Sequence, residues 1–331
     1  MKRPINRNDV ARLAGVAPST VSNVINGTKF VSDEIKQRVQ KAIEELDYQP
    51  NLLARSFKMN STRQISVLVR SLGNFNEIYT GMYEAASAAG YSLSTIIAND
   101  EKRNYYQDCY AHRVEGVINL SPFFCDPKEY AKMTEHNMAF VNPAPGIGGF
   151  EVSMNYVNAV EAFVEELTRR GKTKIALLAD AIRADIEPDT RLIALRYFLE
   201  KKGLKFDESL LCCAQEGSVV PEATEFGYRA TAHLLEARPD VEALFCMNDY
   251  IALGAYKCLN ERGIPIPNRI SVCGCDNDVM SGYMFPALST MSVDKADFGR
   301  QCVRSILCQL KGEPGERRII LYASYIPRQS V

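Results

Sequence analysis

The stretch D-V-A-R-L-A-G-V-A-P-S-T-V-S-N-V-I-N-G at residues 9–27 gathers short polar side chains at the front of what reads as a helix. Pro18, Ser19, Ser22 and Asn23 face outward there. A helix laid in the major groove reads base edges with its N-terminal outward side chains, and short hydroxyl and amide groups suit that task. On the bare pattern, the alternative is a small helical bundle with a polar face. Enzyme chemistry is hard to find in the rest of the chain. No G-x-G-x-x-G follows the first strand, where the loop reads R-S-L-G-N-F-N-E, and there is no P-loop, nucleophile elbow or histidine-centred triad. The three histidines, His112, His136 and His233, have no metal-ligand spacing among themselves or with the cysteines. The expectation is no catalytic residue, no metal and no cofactor.

Three short helices must position the polar front. The first covers residues 8–14, with Val10, Leu13 and Ala14 on one side; Ala11 and Ala14 are small enough for a second helix to cross closely. Gly15 permits a tight turn. The second helix runs over 18–26, and Val16, Val21 and Val24 or Ile25 hold the pair together. The third follows Ser32, a residue type favoured as an N-cap, with Asp33 and Glu34 at the positive helix end. Its apolar residues Ile35, Val39, Ala42, Ile43 and Leu46 recur at helical spacing. Pro50 interrupts, and 51–60 has helical composition but is too short to be helical alone.

Composition agrees with a DNA-facing head on a different body. Residues 1–63 carry eleven Lys and Arg against six Asp and Glu, a net of +5, whereas the remainder carries 28 against 34, a net of −6. Only the head is suited to approach a polyanion. At 331 residues and 46% hydrophobic content the chain holds a sizeable core. No apolar run approaches the roughly 20 residues that span a bilayer, and the N-terminus M-K-R-P-I-N-R-N-D-V lacks an apolar signal region; a cytoplasmic protein is expected. The ten cysteines form no C-x-x-C pair, and several sit in apolar runs such as A-L-F-C-M-N and I-S-V-C-G-C, where a thiol acts as a small buried hydrophobe.

Beyond residue 63, apolar strands alternate with helices. Strands are expected at 65–69, 92–97, 114–120, 138–141, 174–179, 210–214, 243–247 and 270–274, and helices at 77–89, 155–170, 189–202, 222–237 and 250–262. This is the α/β pattern of parallel sheets with right-handed crossovers, and about 265 residues of it suit two lobes better than one sheet. No internal repeat is evident.

The run D-V-A-x-x-A-G-V-x-x-x-T-V-S-x-V-I-N-G, followed by F-V-S-D-E and A-I-E-E-L-D-Y-Q-P-N-x-x-A-R-S, resembles the lac repressor (LacI/GalR) family over about sixty contiguous residues. Looser matches are R-R-G-K-T-K-I-A-L-L, M-N-D-Y-I-A-L-G-A, I-S-V-C-G-C-D-N and the final R-Q-S. The resemblance implies a helix-turn-helix domain over 1–49, a hinge helix and linker over 50–63, and a periplasmic-binding-protein-like domain over 64–331. Lobe 1 would hold about 64–160 and 293–323, lobe 2 about 161–292 and 324–331. It implies that Pro18, Ser19 and Asn23 read bases, that Thr20, Ser22 and Asn26 hold phosphates, and that Lys29 reaches the groove or backbone. The hinge helix would place Ala54 and Phe57, with Lys58 beside them, at the central base step of a pseudo-palindromic operator bound by a homodimer. The effector, a sugar, sugar phosphate or related polar metabolite, would lie between the lobes at the C-terminal ends of strands, near Asn74, Phe75, Ser121, Arg191, Asn248, Asp249 and Asp276. Asp276 and Arg191 would grip hydroxyls bidentately and Phe75 would stack on an apolar sugar face. Each has an ordinary alternative: Asp249 as a helix cap, Arg191 as a surface ion pair, Phe75 as core.

Three departures from the family pattern matter. Phe57 stands where the family has a leucine wedge, and phenylalanine also intercalates. Ala17 replaces a serine cap, a loss of about 1 kcal/mol, partly offset by Pro18 at the first helical position. Val141-Asn142-Pro143 replaces the Asp-Arg that many members carry. A transport-type solute-binding protein is a further alternative, but it would need a secretion signal and no DNA-reading head.

Overall fold

In the computed structural model, residues 5–27, 29–48, 61–69, 75–98, 103–121, 127–142, 150–215 and 222–331 are described. The chain divides into two compact units, residues 1–63 and 64–331.

The first unit contains α1 (Arg7–Ala14), α2 (Pro18–Asn26) and α3 (Asp33–Glu45). Asn6 starts α1 with a full capping box: its side chain accepts from Asn8 N, and Asp9 accepts from Asn6 N. Val10, Ala11, Ala14, Val21, Val39 and Ala42 form the core, with Val16, Val24, Ile25, Ile35, Ile43, Leu46 and Tyr48 packed around it. Both Val24 and Ile25 therefore contribute. Leu13 does not: it is 46% exposed, while Val10, Ala11 and Ala14 form the buried side of α1. Ser32 occupies the N-cap position of α3 but makes no side-chain cap hydrogen bond.

The second unit is built on two parallel sheets. Sheet one has strand order β11-β5-β4-β3-β1-β2, formed by β1 (Gln64–Val69), β2 (Ser92–Ile97), β3 (Gly116–Leu120), β4 (Ala139–Asn142), β5 (Phe150–Asn155) and β11 (Arg318–Tyr322). Helices α4 (Asn76–Ala88), α5 (Tyr105–Ala111), α6 (Pro127–Glu135) and α12 (Lys295–Lys311) accompany it. Ile65, Val67 and Val69 pack with Ile78, Met82, Phe298 and Ile306 on one face, while Leu68 and Phe140 pack with Tyr105, Tyr106 and Met133 on the other. Sheet two has the order β7-β6-β8-β9, formed by β6 (Ile175–Ile182), β7 (Leu211–Ala214), β8 (Ala243–Cys246) and β9 (Ser271–Cys273). Around it lie α7 (Val157–Arg169), α8 (Arg183–Ile186), α9 (Thr190–Lys201), α10 (Ala223–Ala237) and α11 (Asp249–Glu261). An antiparallel ribbon, β10 (Thr290–Ser292) with β12 (Ser324–Ile326), joins the second core.

The chain thus passes between the lobes three times, after β5, after β10 and after β11. The first crossing falls before α7 rather than near residue 160, because Ala159, Val160, Phe163, Val164 and Leu167 of α7 belong to the second core. The expected strands and helices are present to within a few residues; β5, β10, β11, β12 and the helices α5, α6, α8 and α12 are additional to them.

An internal correspondence unites the lobes. In α4–α12, a Cβ on Gly81 would lie 1.9 Å from the Ala296 carbonyl oxygen, and one on Gly299 2.1 Å from that of Ile78. In α10–α11, a Cβ on Gly227 would lie 2.1 Å from the Ile251 oxygen, and one on Gly254 2.0 Å from that of Thr224. Each lobe therefore joins two helices backbone to backbone at paired glycines. The sequence echo is D-F-G at 297–299 and E-F-G at 225–227, too short to stand out as a repeat.

Candidate functional site

The turn between α1 and α2 sets the polar front. Gly15 sits at φ +63°, a left-handed conformation that glycine adopts without strain. Arg38 of α3 donates from Nη2 to the Ala14 oxygen at 2.6 Å and the Gly15 oxygen at 3.3 Å. A cation thus satisfies the carbonyl end of α1, where the helix dipole is negative. Sequence reading missed Arg38, since the i-to-j pairing is long-range. As expected, Ala17 gives α2 no side-chain cap, and Pro18 occupies its first turn.

Pro18, Ser19 and Lys29 are exposed, and Thr20, Ser22 and Asn23 are half-buried. Asn26 ends α2; its side chain lies outside the described residues, as do Ala54, Phe57 and Lys58. Ser22, for which the resemblance implies a phosphate contact, makes hydrogen bonds within the chain. Its hydroxyl donates to the Pro18 oxygen at 3.2 Å and accepts from Arg7 Nη1 at 2.7 Å.

In the second unit, candidate residues gather where the strands of sheet two end. Arg191 lies in the first turn of α9, and its guanidinium is already gripped. Nε and Nη2 donate to Asp189 Oδ1 and Oδ2 at 3.0 and 2.8 Å, and Nη1 donates to the Met247 oxygen at 2.8 Å. The plane lies 5.0 Å over the Tyr156 ring. Burial opposes the charge of both partners, yet the ion pair outweighs it: Arg191 is held well above its ordinary pKa and Asp189 below. The bidentate edge of Arg191 therefore serves Asp189 rather than a ligand, and it is an internal pair rather than a surface one. Of five donors on a guanidinium, these contacts use three, and a fourth is directed at the Cys275 thiol.

Asp276 faces the same cluster: its charge, after burial, raises the Tyr156 phenol. Its backbone is held at φ +99°, followed by Asn277 at +53°, conformations that cost of order 1–3 kcal/mol and persist only when surroundings impose them. Here Asp276 N donates to the Met291 oxygen at 2.8 Å, Ser292 Oγ donates to the Asp276 oxygen at 3.1 Å, and Arg328 Nη2 donates to Asn277 Oδ1 at 2.6 Å. The final R-Q-S is thus a strut: Ser330 Oγ donates to the Val272 oxygen at 2.6 Å and accepts from Ser289 N at 2.7 Å.

The other candidates take different positions. Asn248 is the cap of α11, accepting from Ile251 N at 2.8 Å. Asp249 is fully buried; Oδ1 accepts from Thr290 Oγ1 at 2.7 Å and Oδ2 from Asp278 N at 2.8 Å. It is not a cap: both carboxylate oxygens have partners within the chain, and burial, opposed by those two donors, pushes its pKa up to about 7. Ser121 is buried at the end of β3, with its hydroxyl donating to the Ala98 oxygen at 2.6 Å. Phe75 packs partly into the first core, so its core alternative holds for part of the ring. Asn74 lies outside the described residues. Tyr156 and Asp189 were missed; neither lies in a motif, and only the fold brings them to Arg191.

The buried cysteines behave as hydrophobes: burial raises the thiols of Cys246, Cys273, Cys275 and Cys302, so they are not nucleophilic. Among the described residues no cluster could hold a metal ion, and no helix is long and apolar enough to cross a membrane.

Known proteins agree with this arrangement. Residues 8–51 match the model for bacterial regulatory proteins of the lacI family, and residues 164–331 that for a periplasmic binding protein-like domain. The HTH-type transcriptional repressor PurR of Erwinia tasmaniensis is 32% identical over 338 residues, covering 98% of this chain and 96% of its own. The Ribose operon repressor of Haemophilus influenzae is 27% identical over 344 residues, covering 98% and 97%. Among solved structures, the Lac repressor bound to ONPG in the repressed state superposes with a TM-score of 0.83 at 24% identity, covering 99% of this chain and 100% of its own. The chain belongs to the LacI family of bacterial regulatory proteins and is a DNA-binding transcriptional regulator, not an enzyme.

Proposed function

We propose that this regulator is a homodimeric repressor of carbohydrate-utilisation genes whose effector is a neutral polyhydroxyl compound held between the lobes. The observation that carries the ligand class is the Asp189–Arg191 pair beside Asp276. Within this cluster of described residues, the carboxylates of Asp189 and Asp276 face the single guanidinium of Arg191. A phosphorylated or carboxylated ligand would be repelled, whereas sugar hydroxyls can donate to Asp276 and accept from the remaining guanidinium N–H. Tyr156 supplies an aromatic wall under that cation. The name of the ribose operon repressor supports the same class. This narrows the sequence-based expectation, which included sugar phosphates.

A second copy is favoured by three large apolar side chains on one short segment: Val279 is 76%, Tyr283 86% and Phe285 88% exposed. Solitary apolar residues on a surface need no explanation, but a cluster of this kind marks an interface. Two heads on one dimer match a pseudo-palindromic operator. In this reading Pro18, Ser19 and Asn23 read bases, Thr20, Asn26 and Lys29 contact the backbone, and Ala54, Phe57 and Lys58 act at the central step. The protein works in the cytoplasm, where duplex DNA lies.

Calorimetry tests the ligand class. Neutral pentoses, hexoses and disaccharides are expected to include a binder whose affinity falls at least tenfold in Asp276→Asn. Binding confined to phosphorylated or cationic compounds would overturn the reading.

A further inference from the structure

The helix that faces the groove has no charge of its own. Its nine residues, P-S-T-V-S-N-V-I-N, contain neither Arg nor Lys. The commonest specific contact with a base edge is nonetheless a forked cation on guanine N7 and O6. The structure brings one in from another helix. Arg7, the exposed first residue of α1, lies with Nη1 2.7 Å from Ser22 Oγ, fifteen residues away.

The tether has a direction. Ser22 Oγ points its proton at the Pro18 oxygen, 3.2 Å away, leaving its lone pairs to receive Arg7. Ser22 follows Pro18 by one helical turn and adjoins Asn23, so it stands on the outward face of α2 with the base-reading residues. A guanidinium anchored there is delivered to that face rather than to the outer flank of α1. One of its five N–H groups is used by Ser22, and the planar fork of the rest is shaped for two parallel bonds.

We propose that Arg7 is a base-reading residue of this regulator, its guanidinium positioned by Ser22 to take a guanine edge in the major groove. The proposal rests on α2 being the helix that enters the groove. It also assigns Ser22 a new part: a positioning residue for Arg7, in place of a direct phosphate contact.

The test uses the full-length protein and duplexes selected from random DNA, followed by affinities at several salt concentrations. Wild type is expected to require guanine at one position per half-site. Arg7→Ala should lose that requirement alone, binding the selected duplex roughly 5- to 150-fold more weakly and a guanine-substituted duplex no more weakly than wild type does. Arg7→Lys, which keeps the charge and loses the fork, should also lose most of the discrimination. Ser22→Ala should lose part of it. Arg7→Ala with an unchanged thermal midpoint but an equal loss on every duplex and a shallower salt dependence would make Arg7 a phosphate contact and overturn the proposal. No change in any affinity would overturn it too. Asn23→Ala separates the two levels: if it relaxes one base position while Arg7→Ala is silent, Arg7 alone is wrong. If wild type selects no palindrome, the groove reading fails with it.

Discussion

Lys295 Nζ lies 3.1 Å from Asp278 Oδ1, and their side chains are 8% and 14% exposed. Lys295 opens α12, a helix of the first lobe, whereas Asp278 follows β9 of the second, two residues after Asp276. The pair therefore joins the lobes at one of the three crossings. A cation in the first turn of a helix opposes the helix dipole, and Asp278 offsets that cost. The same Asp278 donates its N–H to Asp249, which in turn receives Thr290. A continuous polar chain thus runs from Thr290 through Asp249 and Asp278 to Lys295, at a crossing between the lobes.

Removing one partner should be costly. Lys295→Met leaves the Asp278 carboxylate buried and uncompensated, for which about 3–5 kcal/mol is expected. Pairing it with Asp278→Leu should recover most of the loss. Urea unfolding of the four proteins measures the cycle. A single-variant loss under about 1 kcal/mol would mean that water reaches the pair.

Asp249 predicts a pH dependence. Its carboxyl titrates at about 7 in the folded chain against 3.8 for the free group, so between those values the unfolded state has released a proton that the folded state keeps. The stabilisation is complete below pH 3.8 and is lost as pH rises through 7. The expected slope is at most about 1.4 kcal/mol per pH unit. Subtracting the Asp249→Asn profile from wild type over pH 5–8 should reveal a declining difference. A flat or rising one would place the carboxylate in its ionised form throughout.

The glycine pairs predict which helices cannot separate. Gly81→Ala and Gly254→Ala each drive a Cβ into a backbone oxygen about 2 Å away, so a loss at or above the roughly 1–3 kcal/mol of ordinary overpacking is expected. Gly282→Ala meets nothing within 4 Å and is not at positive φ, so it should be near neutral. Thermal midpoints distinguish them, and equal effects at all three sites would contradict the packing described.

The outline of the protein was readable because period and punctuation agreed. Pro18, Gly15 and Gly27 mark α2 on both sides, and the buried strands of both sheets are short apolar runs. In α12, by contrast, Phe298, Cys302, Val303 and Ile306 have helical spacing and were still overlooked, for no motif drew attention to them. Motif matching placed Arg191, Asn248, Asp249 and Asp276 in one neighbourhood, but it could not tell which side chains face the cleft. Asp249 turns inward because Thr290 and Asp278 N–H, 41 and 29 residues away, take its oxygens. The claim on Arg191 by Asp189 and the tether of Arg7 to Ser22 are likewise decided by neighbours that only the folded chain supplies.

Asn23 tests the groove most directly. The full-length protein and Asn23→Ala would each be presented with randomised duplexes, and the selected sites compared. Wild type should enrich a palindrome with two half-sites, and the variant should relax one base position in each, losing roughly 1–3 kcal/mol on the wild-type site. Equal weakening on every sequence, or no wild-type preference for any palindrome over random DNA with or without sugars present, would contradict the account.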